Sequence, residues 1–520
     1  MDKQDSSFVR GTFILTAAAF ITRILGFLNS IILARYLGPE GIGLLMMAHP
    51  LVPMMITLTS LGLPVAISKL VAEAEARDDE AKIKRILQVS LTLTVTLSVV
   101  LTLGSVFGAK PIASWILADQ RAYYAMLAII PITPLVAISS VLKGYFRGKQ
   151  NMKPIAISDV IENIVHITLL VGIIQMLLPY GIEYAAAGAV ICTVLGEGGG
   201  LIYLIIMYSL HKKKIRRNQP ESSHAMPSKK ETVYELLHIG LPTTGQGFIH
   251  SIYRAIKPAL VIKSLAVAGV GTALATKQYG LLAGYAFPLL MFPTFIMHSL
   301  SAALMPSISE AYATYNRKLI HQRIDQAIRL AFMIGAPCTL VLYMWAIPLT
   351  TVMYHAPEAG NLLKLLAPFF LLHYFEEPFH AVLLGIGKVK TVMWNFIMST
   401  LLQAIAMYIF GSEWGIYGVA TGINFGICII TMLNFLSIST FIGISLDVRH
   451  YLKTALCLTI MAIGGQAVYV FMNHAGYPLA WVVTGSILAS LLMYLLSLMA
   501  TNTLKITDRS GSVKGFFTKL

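Results

Sequence analysis

Long apolar runs alternate with short polar segments along nearly the whole chain, and that alternation predicts most of the structure. Apolar windows fall at 11 to 36, 42 to 67, 87 to 108, 122 to 146, 154 to 179, 183 to 210, 235 to 263, 278 to 305, 327 to 354, 361 to 386, 391 to 411, 415 to 441, 452 to 473 and 478 to 501. At about 1.5 Å of rise per residue, each is long enough to cross a hydrocarbon core of about 30 Å as a helix. The expected fold is an all-α polytopic membrane protein with about 14 transmembrane helices. The first window lacks the basic start, short apolar core and small-residue cleavage site of a signal peptide, so it reads as a retained helix.

The windows also repeat. Gly43 and Gly280 stand 237 positions apart, as do Glu73 and Glu310; Gly148 and Gly387 are 239 apart, and Gly181 and Gly415 are 234 apart. A near-constant offset predicts two six-helix lobes, 1–210 and 234–445, with two further helices in 446–501. Because six is even, both lobes begin on the same side of the membrane, and the expected relation is a pseudo-two-fold along the membrane normal. The join, 211–233, is polar and basic, carries Pro220 and Pro227, and reads as a cytoplasmic linker. The stretch 69 to 87, rich in charge and in helix formers, is expected to lie on the cytoplasmic surface as a helix, and 502–520 to form a short cytoplasmic tail.

Composition agrees, with 56% hydrophobic and 12% charged residues against about 25% charged in soluble domains. The net charge of +15 does not point to nucleic acid, because its placement follows the membrane. With the N-terminus inside, cytoplasmic segments hold 30 of the 39 lysines and arginines, and outer loops hold only Lys110, Arg121, Lys263, Lys277 and Lys364. This positive-inside asymmetry puts both termini in the cytoplasm of a plasma-membrane protein. Cys192, Cys338, Cys428 and Cys457 fall inside predicted spans without paired spacing, so neither a disulfide framework nor a metal site is expected.

The remaining four cations lie inside windows: Arg23, Arg35, Arg254 and Lys257. Arg23 sits near the middle of span one, where an arginine costs about 2.5–3.5 kcal/mol and must face protein or water. Arg35 lies at the far end of that span, within snorkelling reach of the interface. In span seven, Gln246, His250, Arg254 and Lys257 recur at helical spacing and share one face. Arginine pairs bidentately with phosphate oxygens, so a cavity lined by Arg23 and Arg254 predicts an anionic, phosphorylated ligand. Asp159, Glu162, Glu197, Glu376 and Glu377 also fall inside windows and are the candidates for coupling to H+ or Na+. No Walker A, HExxH or GxSxG motif occurs, and no large extramembrane domain is present, so neither enzyme activity nor a cofactor is expected.

Thr22, Arg23, Ile24, Leu25, Gly26 and Phe27, followed by Ala34, Arg35, Tyr36, Leu37 and Gly38, resemble the opening helix of the multidrug, oligosaccharidyl-lipid and polysaccharide flippase superfamily. The stretch from Leu61 through Pro64 to Lys69, and Gly144, Tyr145, Phe146, Arg147 and Gly148, narrow the resemblance to its polysaccharide-transporter branch in endospore formers. That resemblance implies an alternating-access flippase acting on an undecaprenyl-diphosphate-linked glycan, with lipid II for spore-cortex peptidoglycan as the implied cargo. It also implies that Arg23 lines the cavity, as an arginine does in related lipid II flippases. Their next cavity arginine falls at Asn29 here, and the aspartate after it at Ser30. The expected partners are the lipid-linked glycan, membrane lipid and a coupling cation, with the protein a monomer. Two other readings are a cation-coupled multidrug exporter of the same fold, which the basic spans oppose, and a membrane scaffold for spore-envelope synthesis.

Overall fold

The computed structural model describes residues 3–77, 79–117, 119–218, 228–443 and 448–501, and these are helical with short connections. They form two compact units, Met1–Tyr285 with Gly411–Ile416, and Ala286–Phe410 with Tyr417–Leu520.

The first unit holds α1 (Lys3–Ala48), α2 (Leu51–Ser60), α3 (Leu63–Glu75), α4 (Glu80–Phe107), α5 (Ala109–Ile116), α6 (Tyr123–Ile129), α7 (Ile132–Gly148), α8 (Lys153–Leu177), α9 (Ile182–Asn218), α10 (Lys229–Val267) and α11 (Thr272–Gly280). Spans one and two run together through α1 because Gly38 takes φ 64°, a left-handed value that glycine adopts without a Cβ penalty, and Pro39 restarts the helix. Leu63, Ile67, Val71, Ile86, Val141, Phe146 and Leu204 pack into one core from α3, α4, α7 and α9. Helix α10 packs on α2, α3 and α4, with Ser251 Oγ 3.2 Å from Thr57 Oγ1 and Lys82 Nζ 3.3 Å from Glu235 Oε2.

A π-helix, Leu281–Ala286, ends the first unit. The second unit holds α12 (Phe287–Met291), α13 (Thr294–Ala313), α14 (Arg317–Met344), α15 (Ala346–Tyr354), α16 (Pro357–Gly385), α17 (Val389–Phe441), α18 (Val448–His474) and α19 (Leu479–Ala500). Its core gathers Ile308, Ile324, Val382, Leu383 and Ile438. Spans eleven and twelve share α17, which reverses at Gly415 with φ 60°.

Nine helices among the described residues are long and apolar enough to cross a membrane, two of them the double segments Phe20–Ser60 and Val389–Phe441. A bent pair, Thr272–Met291 and Thr294–Ala313, supplies span eight with a 52° break. Spans seven and ten are α10 and α16, whose internal charges dilute their apolarity. About 14 membrane helices result.

The structure also shows the repeat directly. Asp79 and Asn316, 237 positions apart, each cap a helix, accepting from Lys82 N at 2.8 Å and Leu319 N at 3.1 Å. This cap corrects the expectation of one surface helix over 69 to 87. The helix breaks between Glu75 and Glu80, and Leu70, Val71, Ala74, Ile83 and Ile86 on either side are buried. Gly43 and Gly280 meet at the crossing of α1 and α11: a Cβ on Gly43 would overlap the Thr276 backbone, and one on Gly280 would overlap Pro39 O. Pro39 and Thr276 are themselves 237 apart, so the two contacts are symmetric copies of each other.

Candidate functional site

The cations of span seven define a face with an unusual environment. At about 100° per residue, α10 presents three sides. Ser251, Ala255, Ala259 and Ile262 are buried against neighbouring helices. Ile249 and Ile256, 39% and 52% exposed, form an apolar side suited to lipid. His250, Arg254 and Lys257 lie on a third side, about 100° from the isoleucines, where Arg254 is exposed and His250 and Lys257 half-buried. An open charged stripe beside a lipid-facing apolar one requires water or a ligand in front of it.

One histidine of the first unit lies near that stripe, and a second lies near the first. Arg254 lies within Coulombic range of both Lys257 and His49, and His49 within range of His166. His49 stands in the break between α1 and α2, just before Pro50, and the buried Nε2 of His166 has no hydrogen-bond partner among the described residues. His49 escaped the sequence reading because it falls within an apolar window at no helical spacing from another polar residue. Its one signal was the proline that follows it.

Of the other candidates, Arg23 is half-buried on α1, and Arg35 is exposed on the same stripe as Ile24 and Leu28, a position suited to interface anchoring. The side chain of Gln246 lies outside the described residues, as do 219–227 of the basic linker and the tail beyond 501.

The carboxylates fall into two groups. Asp159 Oδ1 pairs with Lys143 Nζ at 2.8 Å, and Lys143 is also within Coulombic range of Glu197 and Glu162. Three helices, α7, α8 and α9, converge there, and they can do so because Gly196 and Gly200 let α9 lie directly on Glu162 and Ser158 of α8. Lys143 was counted from sequence among the cytoplasmic cations because it lies near the end of its window. In the second unit, Glu376 Oε2 is 2.8 Å from His373 Nδ1, and Glu377 Oε2 is 3.4 Å from His298 Nδ1. These adjacent carboxylates thus diverge to different histidines, as their 100° separation on a helix requires.

The family described as Polysaccharide biosynthesis protein matches residues 8–312, and MatE matches residues 282–409. Stage V sporulation protein B of Bacillus subtilis (strain 168) is 41% identical over 502 residues, 96% of either chain. The lipid II flippase MurJ of the same organism is 24% identical over 493 residues, 92% of this chain and 90% of its own. A solved structure of the lipid II flippase MurJ in an inward closed conformation matches 95% of this chain and 99% of that one, with TM-score 0.70 and 16% identity, which shows a common fold.

Proposed function

The chain belongs to the polysaccharide biosynthesis protein family, in a superfamily of transporters rather than enzymes, and on that premise we propose that it flips a lipid-linked glycan across the plasma membrane. The observation that carries this reading is the open cationic stripe of α10. In the proposed mechanism Arg254 and Arg23 hold the diphosphate of an undecaprenyl-linked glycan, with His250, Lys257 and His49 around it, while the prenyl chain stays in lipid. A guanidinium in a cleft of low dielectric is a strong, bidentate partner for phosphate oxygens. The named relatives, one in sporulation and one acting on lipid II, support a cell-wall precursor as cargo, with lipid II for the spore cortex as the specific proposal. Movement follows alternating access by lobes 1–210 and 234–445, both termini being cytoplasmic.

With no nucleotide site, uphill flipping needs an ion gradient or the membrane potential. The Lys143, Asp159, Glu162 and Glu197 group and the histidine-paired Glu376 and Glu377 are the proposed coupling sites.

Single cysteines test the cavity. A side chain at Gly26 meets nothing within 4 Å, and one at Gly247 meets only Thr57 at 3.9 Å, so Gly26→Cys and Gly247→Cys should fold. Each lies about one turn from a proposed ligand, Arg23 or His250. Both are expected to react with a hydrophilic maleimide and to be protected by undecaprenyl-diphosphate-linked glycan. Reaction unaffected by the lipid at both positions would refute the site.

A further inference from the structure

A second polar cluster lies at the opposite end of the first unit from the basic segments, on the side that the charge asymmetry assigns to the outside. Arg121, in the turn before α6, grips Asp119 with two bonds, Nε to Oδ1 at 3.1 Å and Nη2 to Oδ2 at 2.7 Å. Its Nη1 donates to Glu40 Oε1 of α1 at 2.6 Å. Asp119 is buried, and its Oδ2 also accepts from Thr276 Oγ1 of α11 at 2.8 Å. Burial by itself would raise the Asp119 carboxyl, but the bonds from Arg121 and Thr276 hold it below the ordinary carboxylate range.

This chain of bonds closes over the α1–α11 crossing. Beneath it, the backbone of α1 at Pro39 and Gly43 lies directly against that of α11 at Thr276 and Gly280, with the Thr276 methyl beside Gly43, and Tyr285 Oη donates to Ala34 O at 2.8 Å. Contact between bare backbones is close but weakly directional, since dispersion has no preferred angle. Directional bonds at this crossing come from the Asp119 cluster and from Tyr285. Directly after α11 comes the π-helix Leu281–Ala286, a turn of the kind at which helices kink and which recurs at functional sites. The border between the two compact units also falls there.

We propose that Glu40, Arg121, Asp119 and Thr276 form a latch that holds the outer half of span eight against span one, and that its release lets α11 swing on the π-helix and open the cavity outward. The proposal rests on the transport reading for its purpose, but its test does not need the cargo. Glu40 and Arg121 are 36% and 35% exposed, so water can solvate both when the latch parts, which keeps it reversible. Asp119, by contrast, is dry and committed to its partners. In the six-helix division α1 belongs to the first repeat and α11 to the second, so a single threonine carries the bond across.

The test uses the full chain in right-side-out vesicles, with the four native cysteines replaced by alanine and Ala275→Cys as reporter. Ala275 is buried beside Thr276. A membrane-impermeant maleimide is applied from outside and the labelling rate measured. Thr276→Val keeps the side-chain shape and deletes one bond to a charged acceptor, so labelling should rise about tenfold. Arg121→Ala should raise it further, and Arg121→Lys, which keeps the charge and loses the fork, should fall between. Gly280→Ala is the steric control, because it forces the crossing apart while leaving all four latch residues in place. If Gly280→Ala raises labelling and the latch variants match the parent, the crossing is the gate and the latch is idle, which overturns the proposal. If none raises it, the crossing does not open and the proposal falls as well. Raised labelling together with an absence of glycan-lipid flipping would fault the transport reading and leave the latch standing.

Discussion

Replacing Lys143 by methionine should destabilise the first unit through its carboxylates rather than through packing. Lys143 Nζ is 2.8 Å from Asp159 Oδ1, and the same ammonium lies within Coulombic range of Glu162 and Glu197. Methionine fills nearly the same volume, so little cavity energy is involved. What changes is charge, because three carboxylates lose the cation among them. Removing one partner of a fully buried pair costs about 3–5 kcal/mol. Here the lysine is 25% exposed and the aspartate 41% exposed, so water screens part of the loss. A cost of about 1–3 kcal/mol follows. Asp159→Asn alone should cost less, since Lys143 keeps two carboxylates. The double variant should be more stable than the sum of the single losses predicts, with a coupling of at least about 1 kcal/mol. The assay is a double-mutant cycle on detergent-purified protein, followed by SDS titration. Single losses that add to within about 0.5 kcal/mol would show that the pair is not coupled and would refute the reasoning.

Other outcomes follow from the same geometry. Glu376→Gln and Glu377→Gln should differ in effect, since one loses His373 and the other His298; flipping under imposed pH, sodium and voltage gradients checks this, and equal rates in wild type and both variants under every gradient would leave only downhill equilibration. Because the Asp119 carboxyl is held below its ordinary range, its contribution is complete at neutral pH and lost only as pH falls through that lowered value. Divided by the rate of an exposed reference thiol, whose thiolate fraction itself rises with pH, labelling of Ala275→Cys should therefore stay flat between about pH 6 and 8, and a rise of that ratio toward pH 6 would contradict the assignment. A reporter fused at residue 220 should read as cytoplasmic, and an extracytoplasmic signal would invert the proposed topology.

The membrane helices were legible because apolar length alone decides whether a segment can span, and the repeat because the glycines that mark it serve as contacts and turns. Gly43 and Gly280 recur at one offset since each must admit the backbone of the facing helix, at Thr276 and at Pro39, and Gly181 and Gly415 since both take positive φ. The surface-helix reading of 69 to 87 failed because Asp79 was taken for a helical residue when it is a cap, and local charge concealed the buried Leu70, Val71 and Ile83. Lys143 and His49 were hidden for a different reason. Their meaning depends on Asp159, on the helix that follows Lys143, and on Arg254, far along the chain from His49, each brought near by packing between helices, and hydropathy along one chain carries no trace of such a pairing. The latch joins Asp119 to Thr276 across 157 positions, and was invisible on the same ground.

In the proposed mechanism the open cationic stripe of α10 grips the phosphates of a lipid-linked glycan. The most direct measurement is the rate at which undecaprenyl-diphosphate-linked glycan crosses the bilayer of reconstituted vesicles, for wild type, Arg254→Lys and Arg254→Ala. Loss of a bidentate bond to phosphate is worth about 1.5–3 kcal/mol, so Arg254→Ala should be at least about tenfold slower, with lysine between it and wild type. Equal rates in the three proteins, at equal amounts of folded transporter, would contradict the account.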